Sequence, residues 1–303
     1  MSYRFDPSDL DVEKALRRIA DEQFAGALRA VESDGPMPPR VHEMRKSVKK
    51  LRGLLRLVRP AFKRFKAENN ALRDAARGLT VLREADVNIR MLDRLLPETD
   101  LAPASATALR AAVAGAHAAH PDAASPSGAL AIFGRRMIAL RARAETWHLK
   151  ADGFGALAGG LEKTWTQARA RMAPALADPS VEALADPSVE AVHEWRKRVK
   201  DHWYQARLLS PIWSEAMAPH VAAADRLGEA LGDHHDLAVL IDTLAHLNPE
   251  VAEPVIVAAR KQQDALMERA RIDARRLFAD SAACLVGRWQ TWWQVWRDRE
   301  AGG

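Results

Sequence analysis

The chain contains one nine-residue motif twice, and this duplication constrains its fold more than any other feature. Residues 41–49 read VHEMRKSVK and residues 192–200 read VHEWRKRVK, so seven of nine positions are identical at a separation of 151 residues. In a chain of 303 residues, this spacing predicts one domain, 1–303, made of two similar halves. We place the halves at residues 12–150 and 153–299, with the boundary near Asp152.

The spacing of apolar residues predicts an all-α fold. Apolar side chains recur every three or four positions, Ala, Leu and Arg are abundant, and no segment alternates as a strand does. In the first half, the pattern predicts one helix over residues 67–96 and a short helix over 105–119. A Pro- and Gly-containing loop is expected over residues 121–128.

Positive charge is concentrated around the first motif. The net charge is only +5, but residues 40–66 contain eleven Lys or Arg and a single acid, Glu43. Such a concentration favours a polyanionic partner, which could be a nucleic acid, an anionic membrane or a phosphate-rich ligand. A solvated helix face is the alternative interpretation.

The cysteine content and the hydropathy pattern indicate a compartment. With Cys284 as its single cysteine, the chain has no internal disulfide framework, which suits a reducing environment. The N-terminus lacks the apolar core of a signal peptide, and no stretch approaches eighteen apolar residues. We therefore expect a cytoplasmic protein that does not span a membrane. The pattern does not predict the oligomeric state.

Placed on a helix, each motif collects cations on one side. At 100° per residue, the first basic face consists of His42, Arg45, Lys49, Arg52, Arg56 and Arg59. The second basic face consists of His193, Arg196, Lys200 and Arg207. Like charges four residues apart repel, so these faces favour a bound anion. If the halves pack about a pseudo-twofold axis, the two faces line one basic groove or pore.

The segments VHEMRKSVKKLRGLLRLVRP and VHEWRKRVKDHWYQARLLSP resemble the two signature helices of the CHAD family, the conserved histidine α-helical domain. LTVLREADVNIRML and LGDHHDLAVL extend this resemblance, which covers roughly residues 12–299. It implies a pair of four-helix bundles with internal twofold symmetry around a basic cavity or pore that binds inorganic polyphosphate. It also implies an association with polyphosphate granules.

Carried over by position, the resemblance assigns phosphate binding to residues of both motif helices. They are His42, Arg45, Lys49, Lys50, Arg52, Arg56, His193, Arg196, Lys197, Lys200 and Arg207. Additional candidates beside them are Arg18, Lys163, Arg169 and Tyr204. Lys49 and Lys50 stand where the family often has Arg, which keeps the charge but loses the fork of donors. Trp203 replaces a usual basic residue, which predicts weaker binding by the second half.

Two alternative functions depend on other residues. A nucleic-acid-binding module is disfavoured, because there are only two Tyr and seven Phe, and the Trp residues do not interleave with the basic faces. Trp203 and Tyr204 are the exceptions. Residues 233–236, DHHD, superficially resemble the His-Asp pair of metal-dependent phosphohydrolases. Aligned by repeat, however, His235 and Asp236 match Arg83 and Glu84, which favours an inter-helix ion pair. We therefore expect a non-enzymatic protein without a cofactor or a metal.

Overall fold

The computed structural model describes residues 3–9, 11–118, 126–176 and 189–301, and these ranges are helical throughout their length apart from short connections. Within them there are eleven α-helices and no strand. The helices are α1 (Val12–Glu32), α2 (Met37–Leu57), α3 (Phe65–Arg77), α4 (Thr80–Leu95), α5 (Pro103–Ala118), α6 (Pro126–Ala144), α7 (Gly155–Ala175), α8 (Val189–Leu209), α9 (Ser214–Leu247), α10 (Pro249–Leu277) and α11 (Ala282–Ala301). The predicted all-α class is confirmed.

Two predicted boundaries in the first half differ from the structure. The helix expected over residues 67–96 is divided into α3 and α4, because the chain turns at Gly78, the C-cap of α3. The loop expected over residues 121–128 ends earlier, since α6 begins at Pro126 and proline is well suited to a first helical turn. Residues 121–125 lie outside the described ranges.

One hydrophobic core connects the two motif helices with the helices that precede them. α2 packs against α1, α3, α7 and α8, and α8 packs in addition against α9. The largest fully buried side chains include Phe24, Trp147, Trp165 and Trp195. Gly160 of α7 allows the closest approach, because a Cβ there would lie 1.8 Å from the carbonyl oxygen of Leu57.

A second, smaller core joins α4 and α5 to α9 and α10. Its side chains are buried Leu, Val, Ile and Ala residues, among them Leu92, Leu109, Leu240 and Val255. Since α4 also contacts α2, this core places one end of α4 beside the first motif helix. In the part of the chain that the structure describes, no helix has the length and apolarity needed to cross a membrane.

The two motif helices, α2 and α8, cross at Gly53 and Tyr204. A Cβ on Gly53 would lie 2.8 Å from the Cβ of Tyr204, so the crossing requires glycine. Arg56, later in α2, forms an ion pair of 3.1 Å with Asp201, earlier in α8. The C-terminal part of α2 therefore meets the middle of α8 beside the crossing.

Candidate functional site

Cations from both motif helices converge where α2, α4, α8 and α9 pack together. α2 supplies Arg45 and Lys49, α4 supplies Arg83, and α8 supplies Arg196 and Lys200; we call these five residues the central cluster. Lys49 keeps an exposed surface, but protein atoms surround its ammonium group. Partial loss of water, followed by repulsion from the four other cations, lowers the pKa of Lys49 to about 7. Each of the four other charges is thus close enough to act on Lys49.

α9 approaches the second basic face closely because it carries two glycines one helical turn apart. A Cβ on Gly228 would lie 2.8 Å from Cδ of Lys200, and one on Gly232 would lie 3.3 Å from Nε of Arg196. Both long side chains therefore extend along the α9 surface. The sequence analysis missed this role, although glycines at a four-residue spacing inside a predicted helix were a visible signal.

Acidic side chains neutralise part of the central cluster. The Lys200 ammonium forms ion pairs with Asp225, at 3.2 Å, and with Glu229. The Nη2 atom of Arg83 donates to both carboxylate oxygens of Asp236, at 3.2 and 3.1 Å. All three acids lie on α9, which thus supplies these carboxylates among the residues that the structure describes.

The other cations of the central cluster differ in their contacts. Arg45 donates from Nη1 to the hydroxyl of Thr80, at 3.1 Å. The Nε atom of Arg196 is buried and has no hydrogen-bond partner among the described residues. Burial lowers the pKa of Arg196, and Asp236 partly offsets this effect. Over the same ranges of the chain, Lys49 forms no ion pair, so it is the cation most available to a ligand.

The two motif histidines have different surroundings. His42 is exposed near the start of α2, and partial burial and nearby lysines lower its pKa. The ring of His193 stacks on that of His235, with centroids 4.1 Å apart. Burial lowers the pKa of each to about 4, assisted by repulsion from His235 on His193 and from Arg196 on His235. The rings of His193 and His235 are therefore neutral at pH 7.

Lys50 and Arg207 lie together on the opposite side of the crossing from Arg56. Burial and then repulsion from Arg207 lower the pKa of Lys50, whose Nζ is 5.4 Å from the centre of the Tyr3 ring. Two cations flank Trp203: Lys200 at 4.3 Å and Arg207 at 4.9 Å from the ring centre. Trp203 stands where a basic residue is usual, but its indole holds Lys200 and Arg207 beside it through cation–π contacts.

The other candidates are dispersed. Lys197 pairs with Glu194 on the exposed side of α8. The guanidinium of Arg18 forms ion pairs with Asp9 and Glu22, at 2.7 and 3.0 Å. Three further candidates have no place in the central cluster: Lys163 is exposed, Arg169 donates to the Asp280 carbonyl oxygen at 2.9 Å, and Tyr204 is buried.

The DHHD segment of α9 is engaged in contacts between helices. Asp236 pairs with Arg83 and Asp233 with Arg94, at 3.1 and 3.4 Å. The first pair is an inter-helix ion pair, as the repeat alignment favours. Among the described residues, no group of three or more His, Cys, Asp or Glu side chains is arranged to hold a metal ion.

The fold and the site define a class: all-α proteins whose duplicated basic helices cross and bring cations together. The CHAD domain model matches residues 13–245, and the chain belongs to the CHAD family. The match includes both motif helices and stops before α10 and α11. The family predicted from the motif segments is thereby confirmed.

Two solved structures share this fold. PptA from Streptomyces chartreusis is 17% identical, with a TM-score of 0.59 over 88% of this chain and 99% of that chain. The CHAD domain from the plant Ricinus communis is 22% identical, with a TM-score of 0.64 over 90% of this chain and 96% of that chain. Among curated proteins, no match is found.

Proposed function

We propose that this protein binds inorganic polyphosphate without catalysing a reaction, and that the central cluster makes the principal contacts. The observation that carries this proposal is that Arg196 and Lys200 of one motif helix act on Lys49 of the other. Membership of the CHAD family supports it, because the motif resemblance implies polyphosphate binding. Arginine offers forked donors to phosphate oxygens and lysine a compact charge, so the cluster suits a flexible chain of phosphates.

The proposal includes a pseudo-twofold relation between the halves, with a basic groove or pore beside the crossing of α2 and α8. Gly53 and Tyr204, which meet at the crossing, are 151 positions apart, as the motifs are. With the same offset, Arg56 corresponds to Arg207 and Asp201 to Lys50. The two pairs thus occupy corresponding positions, although Arg56 and Asp201 attract each other whereas Lys50 and Arg207 repel.

Polyphosphate binding would relieve the electrostatic cost of the empty site. The central cluster has five cations close together, and the mutual repulsion depresses the pKa of Lys49. A polyanion lying along them supplies the missing negative charge and replaces lost hydration with charge-assisted hydrogen bonds. We further propose that this binding targets the protein to polyphosphate granules.

Isothermal titration with medium-chain polyphosphate tests the binding. We expect saturable binding that weakens steeply with salt, since each phosphate contact releases counterions. Reversing both charges in Arg45→Glu/Arg196→Glu should abolish it, while Arg275→Glu/Arg276→Glu, on exposed positions of α10, should retain most of it. Absent binding by the wild type at moderate salt, or unchanged binding by the first variant, contradicts the proposal.

Two further measurements separate this function from the alternatives. Polyphosphate length after long incubation with Mg²⁺ or Mn²⁺ should be unchanged, whereas a phosphohydrolase would shorten it and lose this activity in Asp236→Ala. RNA at comparable phosphate concentration should displace polyphosphate poorly. Efficient displacement would support a nucleic-acid-binding module, with Trp203 as a stacking platform.

A further inference from the structure

Four arginines surround a single carboxylate where the C-terminal part of α2 meets α8. Asp201 forms ion pairs with Arg56, at 3.1 Å from Oδ1, and with Arg198, at 3.0 Å from Oδ2. Arg52 and Arg59 are close enough to act on the same group electrostatically. We call Arg52, Arg56, Arg59 and Arg198 the arginine cluster.

The arginine cluster is poorly neutralised. In the described part of the chain, one carboxylate faces four guanidinium groups, which leaves three positive charges in excess. Arg52 donates from Nε to the neutral side-chain oxygen of Asn69, at 3.1 Å. Within the described residues, Nε and Nη2 of Arg59 and Nε of Arg198 are buried without a hydrogen-bond partner. Unpaired buried donors are costly, so these three nitrogens are suited to donate to an anion.

The electrostatics of the arginine cluster also favour a bound anion. Burial, followed by repulsion from Arg198 and Arg56, lowers the pKa of Arg59 to about 10. Burial, followed by repulsion from Arg56, lowers the pKa of Arg52 to about 10. Both guanidinium groups stay charged at neutral pH, and the empty cluster therefore repels itself.

The cluster exists at only one end of the crossing. With the 151-residue offset, Arg59 corresponds to Ser210 and Arg198 corresponds to Ser47. Ser47 is buried, and the Ser210 hydroxyl donates to the carbonyl oxygen of Arg207 at 3.0 Å. The matching end thus packs without the two additional cations, which argues against a purely structural need for them.

We propose that the arginine cluster is a second oxyanion subsite, which takes phosphate groups of a polyphosphate chain as the chain leaves the central cluster. Its role in holding polyphosphate rests on the proposed function, whereas its affinity for a short phosphate anion does not. The first basic face connects the two sites, because Lys49 and Arg56 lie seven residues apart on α2, about 10 Å along the helix axis. The bound chain consequently has a preferred exit at this end.

Pyrophosphate is the probe for the subsite, and the thermal midpoint Tm is the measurement. The variant Arg59→Ser/Arg198→Ser gives this end the residues of the other half. We expect pyrophosphate to raise Tm of the wild type and the variant to lose at least half of that rise. The control Arg275→Ser/Arg276→Ser removes the same charge from exposed positions of α10 and should keep it.

Tm values measured without pyrophosphate distinguish a binding role of the added arginines from a structural one. Because Arg198 pairs with Asp201, the double variant should lose some stability without ligand, so this comparison uses Arg59→Ser. Its Tm should equal or exceed that of the wild type, whereas a structural role of Arg59 predicts a lower value. Arg59→Ser alone provides a milder variant, since Arg59 forms no ion pair in the described ranges. Equal pyrophosphate shifts in wild type and double variant, or no shift in either, would overturn the subsite.

Titration with medium-chain polyphosphate tests the connection between the two sites. The double variant should bind at least about fivefold more weakly, and its slope of log affinity against log salt should fall by about 1.4, for two lost phosphate contacts. If the wild type binds and the double variant has the same affinity and slope, the connection fails while the proposed function stands. If the wild type does not bind, the proposed function fails and the pyrophosphate measurement still decides the subsite.

Discussion

Nη1 of Arg56 lies 3.1 Å from Oδ1 of Asp201, and this ion pair joins the two copies of one duplicated helix. Both side chains are largely buried, and Asp201 is also the partner of Arg198. The pair therefore holds the crossing of α2 and α8 at a point where positive charge is in excess.

Removing the carboxylate should be strongly destabilising. In Asp201→Asn, four guanidinium groups lose the one carboxylate that faces them among the described residues, and we expect a loss of about 3 kcal/mol in the free energy of unfolding. Urea unfolding at low salt measures this loss, and added sulfate should restore part of it. The control is Asp225→Asn, whose more exposed carboxylate pairs with Lys200 and should contribute less than about 1 kcal/mol. Equal losses in the two variants would contradict the assigned role of Asp201.

The crossing itself can be tested at Gly53. An added methyl group would overlap Tyr204 at 2.8 Å and approach the Tyr3 hydroxyl at 3.2 Å. We expect Gly53→Ala to lower the free energy of unfolding by about 1–3 kcal/mol, because backbone would have to move. Gly115→Ala in α5, where a Cβ meets nothing within 4 Å, should instead stabilise by about 1 kcal/mol. A neutral Gly53→Ala would show that the helices do not cross this closely.

Lys49 should make polyphosphate binding depend on pH. Its ammonium has a pKa of about 7 in the free protein, and a bound polyanion raises that value. Binding should therefore take up protons and weaken as the pH rises above 7. Titrations in buffers of different ionisation enthalpy measure the uptake. Lys49→Arg, which stays charged, should bind with a flatter pH dependence; an unchanged dependence would exclude Lys49 as its source.

The Lys49 ammonium also makes the stability of the ligand-free protein depend on pH. Its contribution to stability increases as the pH rises, whereas polyphosphate binding weakens. The pKa of Lys49 is lowered from 10.5 to about 7 on folding, so the unfolded chain binds more protons between these values. The contribution of Lys49 to stability therefore increases as the pH rises through this window. Lys49→Met should be more stable than the wild type near pH 7, and the difference should shrink towards pH 10.5. Urea midpoints across this range measure the effect.

A buried histidine pair should set the acid limit of the fold. The Nε2 atoms of His202 and His220 are 2.8 Å apart, next to Trp165 and Trp289. Burial lowers the pKa of His202 well below 6.5 and that of His220 to about 4. Since both folded values are lowered, stability is lost as the pH falls below about 6.5.

The first half provides the matched substitution, because Leu51 stands 151 positions before His202. We expect His202→Leu to move the acid-unfolding midpoint, followed by tryptophan fluorescence, to lower pH. His246→Leu, at an exposed position of α9, should leave the midpoint unchanged. Equal acid-unfolding midpoints for the wild type and His202→Leu would show that the His202–His220 pair does not set the acid limit.

Local patterns predicted much of this molecule. The sequence offers Asp9 or Asp11 as the cap of the first helix, and Asp11 caps α1 by accepting from the backbone of Lys14. The apolar back of the first motif, including Met44 and Val48, is buried as its spacing predicts. These features depend on neighbours within one or two helical turns, which a single sequence displays. The division into repeats at Asp152 stays a prediction.

Features that depend on distant contacts were beyond the sequence. Gly78 looked like a tolerated glycine within one long helix, and only packing shows the chain turning there. Arg198 and Asp201 were not among the candidate site residues, because they point away from the second basic face on a single helix. Their importance arises from the crossing, which brings Arg56 and Arg59 of the other motif helix beside them.

Gly228 and Gly232 have a consequence for the entropy of binding. Lys200 and Arg196 lie against the α9 surface at these positions and are held extended before a ligand arrives. Side chains of this length otherwise lose about 1.5–2 kcal/mol of rotamer freedom when they are immobilised. Lys49, in contrast, must be ordered when the ligand binds. Under the proposed function, one copy of the motif would act as a preorganised receptor and the other as its adaptable counterpart, although both have nearly the same nine residues.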